Sequence, residues 1–261
     1  MVARGGAPVV EQGTRSVRAS VWLQGGKSGR GGRSAQPSGL DRQRITDVTV
    51  RMLDHDGLEK LSMRRLAAEL NVTAMSLYWY VDTKDDLLEL VLDAAFGELR
   101  LPDPDAADED WRDQLRMLAA EYRALLVRHT WLSPLVGRFL NIGPNALAFS
   151  RVILRVVRRA GLPPRGVMGA ISAVFQFVYG YGMTEAHIST RIADSGLNAD
   201  EYHEQALAMV AETPVAAEAV EESRHLVAAR GGDTVNEMLD LDFAYALDLL
   251  VAGIEAMAER G

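Results

Sequence analysis

Arg64-Arg65-Leu66-Ala67-Ala68-Glu69-Leu70-Asn71-Val72-Thr73-Ala74-Met75-Ser76-Leu77-Tyr78-Trp79-Tyr80 reads as two short helices folded about a tight turn. Ser62 supplies an N-cap for the first, which runs to Leu70, and Thr73 caps the second, which reaches Trp79 or Tyr80. Asn71 stands between them, and asparagine tolerates the left-handed backbone that such a turn requires. Two helices joined this closely must cross, so a small side chain is needed where they touch. Ala67 lies four residues before Asn71, and Leu77 lies six after it on the inner face. Leu66, Leu70 and Val72 complete a small core with them. This is the spacing of a helix-turn-helix, whose second helix enters the major groove of DNA.

On that reading, the residues turned outward meet the duplex. Thr73 and Ser76 offer hydroxyls to base edges, while Ala74 and Met75 offer apolar contact to thymine methyls. Trp79 follows on the same segment, and the hydroxyls of Tyr78 and Tyr80 suit phosphate oxygens. Lys84 adds a positive charge in the first turn of the next helix, where free N–H groups already favour a phosphate. Arg64 reaches the backbone from the helix before the turn, and Arg42 and Arg44 from the start of an earlier one. The spacing alone leaves a second reading open, because such hairpins also occur in proteins that never meet DNA. Tyr78, Trp79 and Tyr80 would then be core or a protein contact.

The flanking sequence extends the helical pattern in both directions. Ile45, Val48, Met52 and Leu53 recur at helical spacing, and Asp56-Gly57 ends that helix. Thr83 with Asp86 opens a fourth helix running to about Arg100, its stripe being Leu87, Leu88, Val91, Leu92, Ala95 and Phe96. Leu101-Pro102-Asp103-Pro104-Asp105 breaks the pattern and marks a domain boundary. Beyond it, helices are expected near 108–128, 133–139, 144–160, 164–188, 201–211, 214–229 and 235–259. Pro134, Pro144, Pro164 and Pro214 stand where helices begin, where a missing N–H is harmless. No run of strand-like alternation appears. The expected protein is all-α: a helix-turn-helix three-helix domain with its connecting helix over 41–100, and a larger helical ligand-binding and dimerisation domain over 101–261.

Residues 1–40 differ from the rest. Their glycine-rich sequence carries a net charge of +5, against −4 for 41–100 and −9 for 101–261. Such a segment buries too little apolar area to offset its ordering entropy, so a disordered basic arm is expected. Only the patch from Val17 to Leu23, with Trp22, has the apolar content to dock. Arg30 and Arg33, set among glycines, would either track the minor groove or belong to a solvated tail.

Composition narrows the function classes. The 261 residues carry 48% hydrophobic and 25% charged side chains, the balance of a soluble globular chain. With no cysteine, disulfides, thiolate zinc sites and thiol nucleophiles are excluded. No apolar run matches a membrane span or a secretory leader, so a cytoplasmic protein without a membrane partner is expected. The five histidines (His55, His129, His187, His203 and His225) show no metal-ligand spacing. Neither a nucleophile elbow nor a phosphate-binding glycine loop appears, and no enzyme, cofactor or metal site is expected.

Leu61 to Val72, then Ser76-Leu77-Tyr78-Trp79-Tyr80-Val81, then Lys84-Asp85-Asp86-Leu87-Leu88 resembles the DNA-binding domain of the tetracycline-repressor (TetR) family. The resemblance covers roughly 41–90 and implies a homodimeric, ligand-responsive transcriptional regulator, usually a repressor released from a palindromic double-stranded DNA operator by a small apolar effector. It implies DNA contacts at Tyr78, Tyr80 and Lys84 and burial of Leu77. Asn71 replaces the commoner glycine, and Tyr80 a commoner histidine. Arg128 to Leu132 and Gly143 to Leu147 resemble the branch whose rear domain is like that of the tetracycline repressor itself. Ala173 to Gly182 resembles its long eighth helix, which lines the pocket and the dimer contact, with Gly180 and Gly182 permitting close helix approach. Leu239, Phe243, Leu247, Leu250, Ile254 and Met257 on the last helix would join it in a four-helix dimer interface. The candidate effector contacts are Phe96, His129, Trp131, Phe139, Asn145, Phe175, Gln176, Tyr179, Met183 and Glu185, with no match to the metal-assisted chemistry of tetracycline. The alternative is a helical dimeric interaction protein without DNA binding, and charge reversal at Lys84 is the expected discriminator.

Overall fold

The computed structural model describes residues 20–23, 39–106 and 108–260. Among them the chain forms helices and connecting turns only: α1 (Arg42–Asp56), α2 (Met63–Glu69), α3 (Ala74–Leu77), α4 (Lys84–Phe96), α5 (Trp111–Arg128), α6 (Leu132–Val136), α7 (Pro144–Arg158), α8 (Pro164–Ser195), α9 (Ala199–Ala211), α10 (Pro214–Ala229) and α11 (Val235–Arg260). Apart from six residues, the expected basic arm lies outside the described residues. The exception bears on the docking patch, because Ser20–Leu23 forms a turn closed by Leu23 N–H donating to Ser20 O at 3.0 Å. Ser20 Oγ donates to the buried Glu89 carboxylate of α4, and Val21 and Trp22 pack against the core.

Local chemistry sets the front helices. Asp41, Ser62, Thr73 and Thr83 each accept a backbone N–H three residues on, from Arg44, Arg65, Ser76 and Asp86. Asn71 adopts φ 56° and Gly57 φ 78°, the left-handed turns their residue types allow. α1 packs against α4 and α2, and α2 against α3, with Ile45, Leu53, Leu66, Ala67, Leu70 and Leu77 inside. α3 is shorter than expected. Its α-helix stops at Leu77, and Tyr78 N–H and Tyr80 N–H then bond the carbonyls three residues back, Met75 O at 3.2 Å and Leu77 O at 2.9 Å. The tighter winding carries Val81 back into the core, where it is 3% exposed.

The rear domain is organised about α5 and α8, with α7 and α11 beside them. α8 is long and apolar enough to cross a membrane by length and composition. Its inner face (Val167, Ala170, Val174, Val178, Gly182 and Ala186) is buried within the protein. At Gly182 a Cβ would lie 3.0 Å from Leu126, so glycine lets α5 and α8 approach; Gly180 faces open space in the protomer and needs no such explanation. α9 and α10 form a hairpin against α8 and α11 with no residue of α9 fully buried. α11 corrects the expected stripe. Phe243, Leu247 and Ile254 pack inside the protomer, whereas Leu241, Tyr245, Leu249 and Met257 are exposed.

Candidate nucleic-acid interface and effector cavity

The recognition face is built from the turn outward. Thr73 Oγ1 lies 2.9 Å from Ser76 Oγ, so the two hydroxyls expected at base edges are joined to each other at the start of α3. Met75 is 70% exposed, Trp79 49% and Tyr78 44%, while Leu77 beneath them is fully buried. Ala74 is half-buried on the same segment. Arg64 is exposed and makes no ion pair among the described residues.

The other expected backbone contacts have internal duties. Tyr80 Oη donates to Leu40 O at 2.6 Å, pinning the chain ahead of α1, and Arg42 Nε donates to Tyr80 O at 3.1 Å. Arg44 Nη1 donates to Gly39 O at 2.9 Å. Lys84 Nζ donates to Leu61 O at 2.6 Å and ties α4 to the start of α2. Reversing the charge at Lys84 would therefore disturb the fold as well as any DNA contact. Arg64, Met75 and Tyr78 make cleaner probes.

The helices behind the head line a partly open cavity of about 640 Å³. Its walls come from α4 (Phe96), α5 (Tyr122), α6 and the following loop (Val136, Gly137, Asn141), α7 (Phe149, Ile153) and α8 (Met168, Phe175, Tyr179). Four rings line one side: Tyr122 and Phe149 are 5.4 Å apart, Phe149 and Phe175 5.6 Å, and Phe96 and Phe149 5.9 Å. Burial pushes the Tyr122 hydroxyl well above the ordinary phenol range, helped by the neighbouring Tyr179 hydroxyl, so it stays protonated. Tyr179 Oη donates to Ser133 O at 2.9 Å. Asn141, at φ 51°, donates through Nδ2 to Val136 O at 2.8 Å and Phe139 O at 3.2 Å. That leaves Asn141 Oδ1 a buried acceptor with no partner among the described residues. None of the lining side chains is charged.

Residues 45–91 match the family described as bacterial regulatory proteins, tetR family, and residues 103–258 match the tetracyclin repressor-like C-terminal domain. The chain belongs to the tetR family of bacterial regulatory proteins. An HTH-type transcriptional regulator of Saccharopolyspora erythraea is 40% identical over 62% of this chain and 65% of its own length, just under two thirds of that relative. The HTH-type transcriptional repressor DrrR1 of Streptomyces coeruleorubidus is 30% identical over 92% of this chain and 85% of its own. Among solved structures, ActR of Streptomyces coelicolor in complex with actinorhodin has a TM-score of 0.65 at 26% identity, covering 84% of this chain and 98% of that one. The first is named a transcriptional regulator and the second a transcriptional repressor, and ActR is solved with a small molecule bound.

In this tetR-family chain, four expected effector contacts line the cavity (Phe96, Phe175, Gln176 and Tyr179), and six do not. His129 and Trp131 both bond Asp54 of α1, at 2.6 Å each, and so join the two domains. Asn145 N–H and Ala146 N–H, at the start of α7, donate to Asp93 Oδ1 at 3.0 and 2.9 Å. Burial raises the Asp93 carboxyl while these bonds oppose the shift. Glu185 forms a two-pronged pair with Arg123, at 2.7 and 2.9 Å. Phe139 turns toward Trp22 behind the cavity loop, and Met183 is half-buried away from the cavity. The chemistry-bearing residues in these positions hold helices together.

The expectation missed Tyr122, Phe149 and Asn141. Tyr122 and Phe149 sit on apolar stripes that core packing explains equally well. Asn141 follows no motif, and its role depends on a loop whose shape only the folded chain defines.

Proposed function

We propose that this regulator is a homodimeric repressor whose paired α3 segments bind a palindromic operator and whose release is triggered by a neutral, flat, polycyclic molecule. The observation that carries the reading is that α4 serves both ends. Leu87, Leu88 and Val91 are buried in the core shared with the front helices, and Phe96 on the same helix forms a wall of the cavity. A ligand pressing on Phe96 acts on the helix that seats the recognition head.

The ligand class follows from the lining. An uncharged wall disfavours an ionic guest, because nothing replaces the lost hydration. Four rings favour an aromatic one. The size lies within the range of small-molecule sites, roughly 300–1,000 Å³. ActR, which has a similar fold, is solved with actinorhodin bound, which supports a small-molecule effector.

The dimer is supported by the surface between α8 and α11. Gly166, Gly169 and Ala173 face Leu249, Gly253 and Met257 across an open apolar groove of about 480 Å³. With small residues on one side, a second copy of both helices can approach closely. Paired heads would then meet half-sites about 34–36 Å apart. The domain division at residues 41–100 and 101–261, the cytoplasmic location and the absence of catalysis belong to the same proposal.

A gel-shift scan of the DNA flanking the protein's own gene tests it, repeated with a monohydroxyanthraquinone as probe ligand. Retarded bands that the probe dissolves support the reading. Bands that persist while quenching of the protein's fluorescence shows the probe bound would overturn the switch, and no bands on flanking DNA or on duplexes selected from random sequence would overturn the operator reading.

A further inference from the structure

His129 closes the last turn of α5 and is 3% exposed, yet it faces carboxylates on both sides. Its Nδ1 lies 2.6 Å from Asp54 Oδ1, on the last turn of α1, and its Nε2 lies 3.1 Å from Glu98 Oε2, just past the end of α4. A neutral imidazole has one N–H and one lone pair. In that form, one of the two contacts would set a ring lone pair against a carboxylate oxygen. Against two ionised carboxylates, both are hydrogen bonds only if both nitrogens carry protons.

The surroundings agree with a cationic ring. The C-terminal end of α5 presents the negative end of its dipole to His129. Burial alone would raise the Glu98 carboxyl, but hydrogen bonds from His129 and Arg128 outweigh it and hold that group below the ordinary carboxylate range. The groups around the ring are Asp54 from α1, Glu98 following α4, Arg128 from α5, whose Nη1 donates to Glu98 Oε2 at 2.8 Å, and the Trp131 indole. Trp131 Nε1 donates to Asp54 Oδ1 at 2.6 Å, and its ring lies 5.3 Å from the imidazole.

We infer that His129 is a positioning residue: a buried imidazolium strut that fixes the angle between the recognition head and the cavity domain. Each end of the strut leads to the cavity or to the head. Glu98 follows Phe96 by two residues, and Phe96 is cavity wall. α6 begins just after the strut and carries Val136 to the cavity, and its Ser133 carbonyl holds the cavity-lining Tyr179. Asp54 lies at the opposite end of α1 from Arg42, beside the head's core. A shift of the cavity wall thus reaches α1 through a short charged link, and loss of one ring proton cuts it. The strut's role in regulation rests on the proposed ligand response; its protonation does not.

Two readouts on the full-length protein separate these. Nitrogen NMR of histidine-labelled protein near neutral pH is expected to show both His129 ring nitrogens protonated, with the signal assigned by its loss in His129→Gln. Asp54→Asn is expected to return the ring to its neutral form at the same pH, in a protein whose other histidine signals are unchanged. A single protonated nitrogen in the wild type would overturn the strut. The second readout is binding of a duplex selected from random DNA by the protein itself, followed across the pH range in which the ring signal changes. Wild-type affinity is expected to shift by about fivefold or more, the low end of ordinary coupling, while His129→Gln stays flat. Identical profiles would overturn the positioning role. If no duplex is selected at all, the functional proposal fails while the protonation result still stands.

Discussion

The recognition head and the effector cavity are made in opposite ways. The head's turn, caps and inner residues fall within a short continuous stretch, from Ser62 to Asp86, and each position answers a local demand. The cavity draws its wall from α4, α5, α6, α7 and α8, with residues from Phe96 to Tyr179. One region is specified by neighbours in sequence, the other by neighbours in space. A change in the head should therefore be felt as a local failure, and a change in the cavity should be spread over several helices.

Leu77→Ala should give the largest effect. The side chain is fully buried under α3, and such truncations cost about 2–5 kcal/mol. DNA binding is expected to vanish while ligand binding by the rear domain persists, a contrast that parallel gel shifts and fluorescence titrations measure. If both activities fall together, the two regions are not separable.

Asp93→Ala comes next, because Asp93 stitches α4 to the start of α7 at the border between the regions. Two backbone N–H groups lose their acceptor, for an expected loss of about 2–4 kcal/mol in a denaturant melt. Its charge also carries a pH signature. The folded carboxyl holds its proton more tightly than the unfolded one, so its contribution to stability is full in acid and is lost as pH rises through the raised value. Asp93→Asn should flatten that slope in melts recorded against pH.

Phe149→Ala removes the ring that touches Phe96, Tyr122 and Phe175. Ligand affinity should fall by roughly two- to tenfold, given about 0.5–1.5 kcal/mol for a ring pair with an aromatic ligand, with DNA affinity unchanged. Calorimetry with the hydroxyanthraquinone checks the first, and operator titration the second. Arg64→Ala should have the smallest effect, reducing the salt slope of DNA binding by about one phosphate contact without altering sequence preference.

The same contrast explains how far the sequence could be read. Thr73, Asn71 and Leu77 announce the head because capping, left-handed turns and helix crossings each restrict residue type at fixed spacing. α3 ended early because the tight turns that return Val81 to the core override the aromatic run after Leu77. In the rear domain, helix positions were legible from prolines and apolar periodicity. Site membership was not. His129, Asn145 and Glu185 carry the polar chemistry expected of a binding pocket, but Asp54, Asp93 and Arg123 claim them, and those partners lie between 52 and 75 residues away in sequence. Phe149 carried no local signal for the converse reason: an apolar stripe looks the same whether it faces a cavity or a core.

The most direct test of coupling between the two regions is operator binding followed by fluorescence anisotropy as the cavity is filled. Saturating hydroxyanthraquinone should weaken the wild-type complex by roughly 5–150-fold, the span of ordinary allosteric coupling, and a concentration that half-fills the wild-type cavity should weaken the Phe149→Ala complex much less. An operator affinity that does not move while the cavity is demonstrably occupied would contradict it.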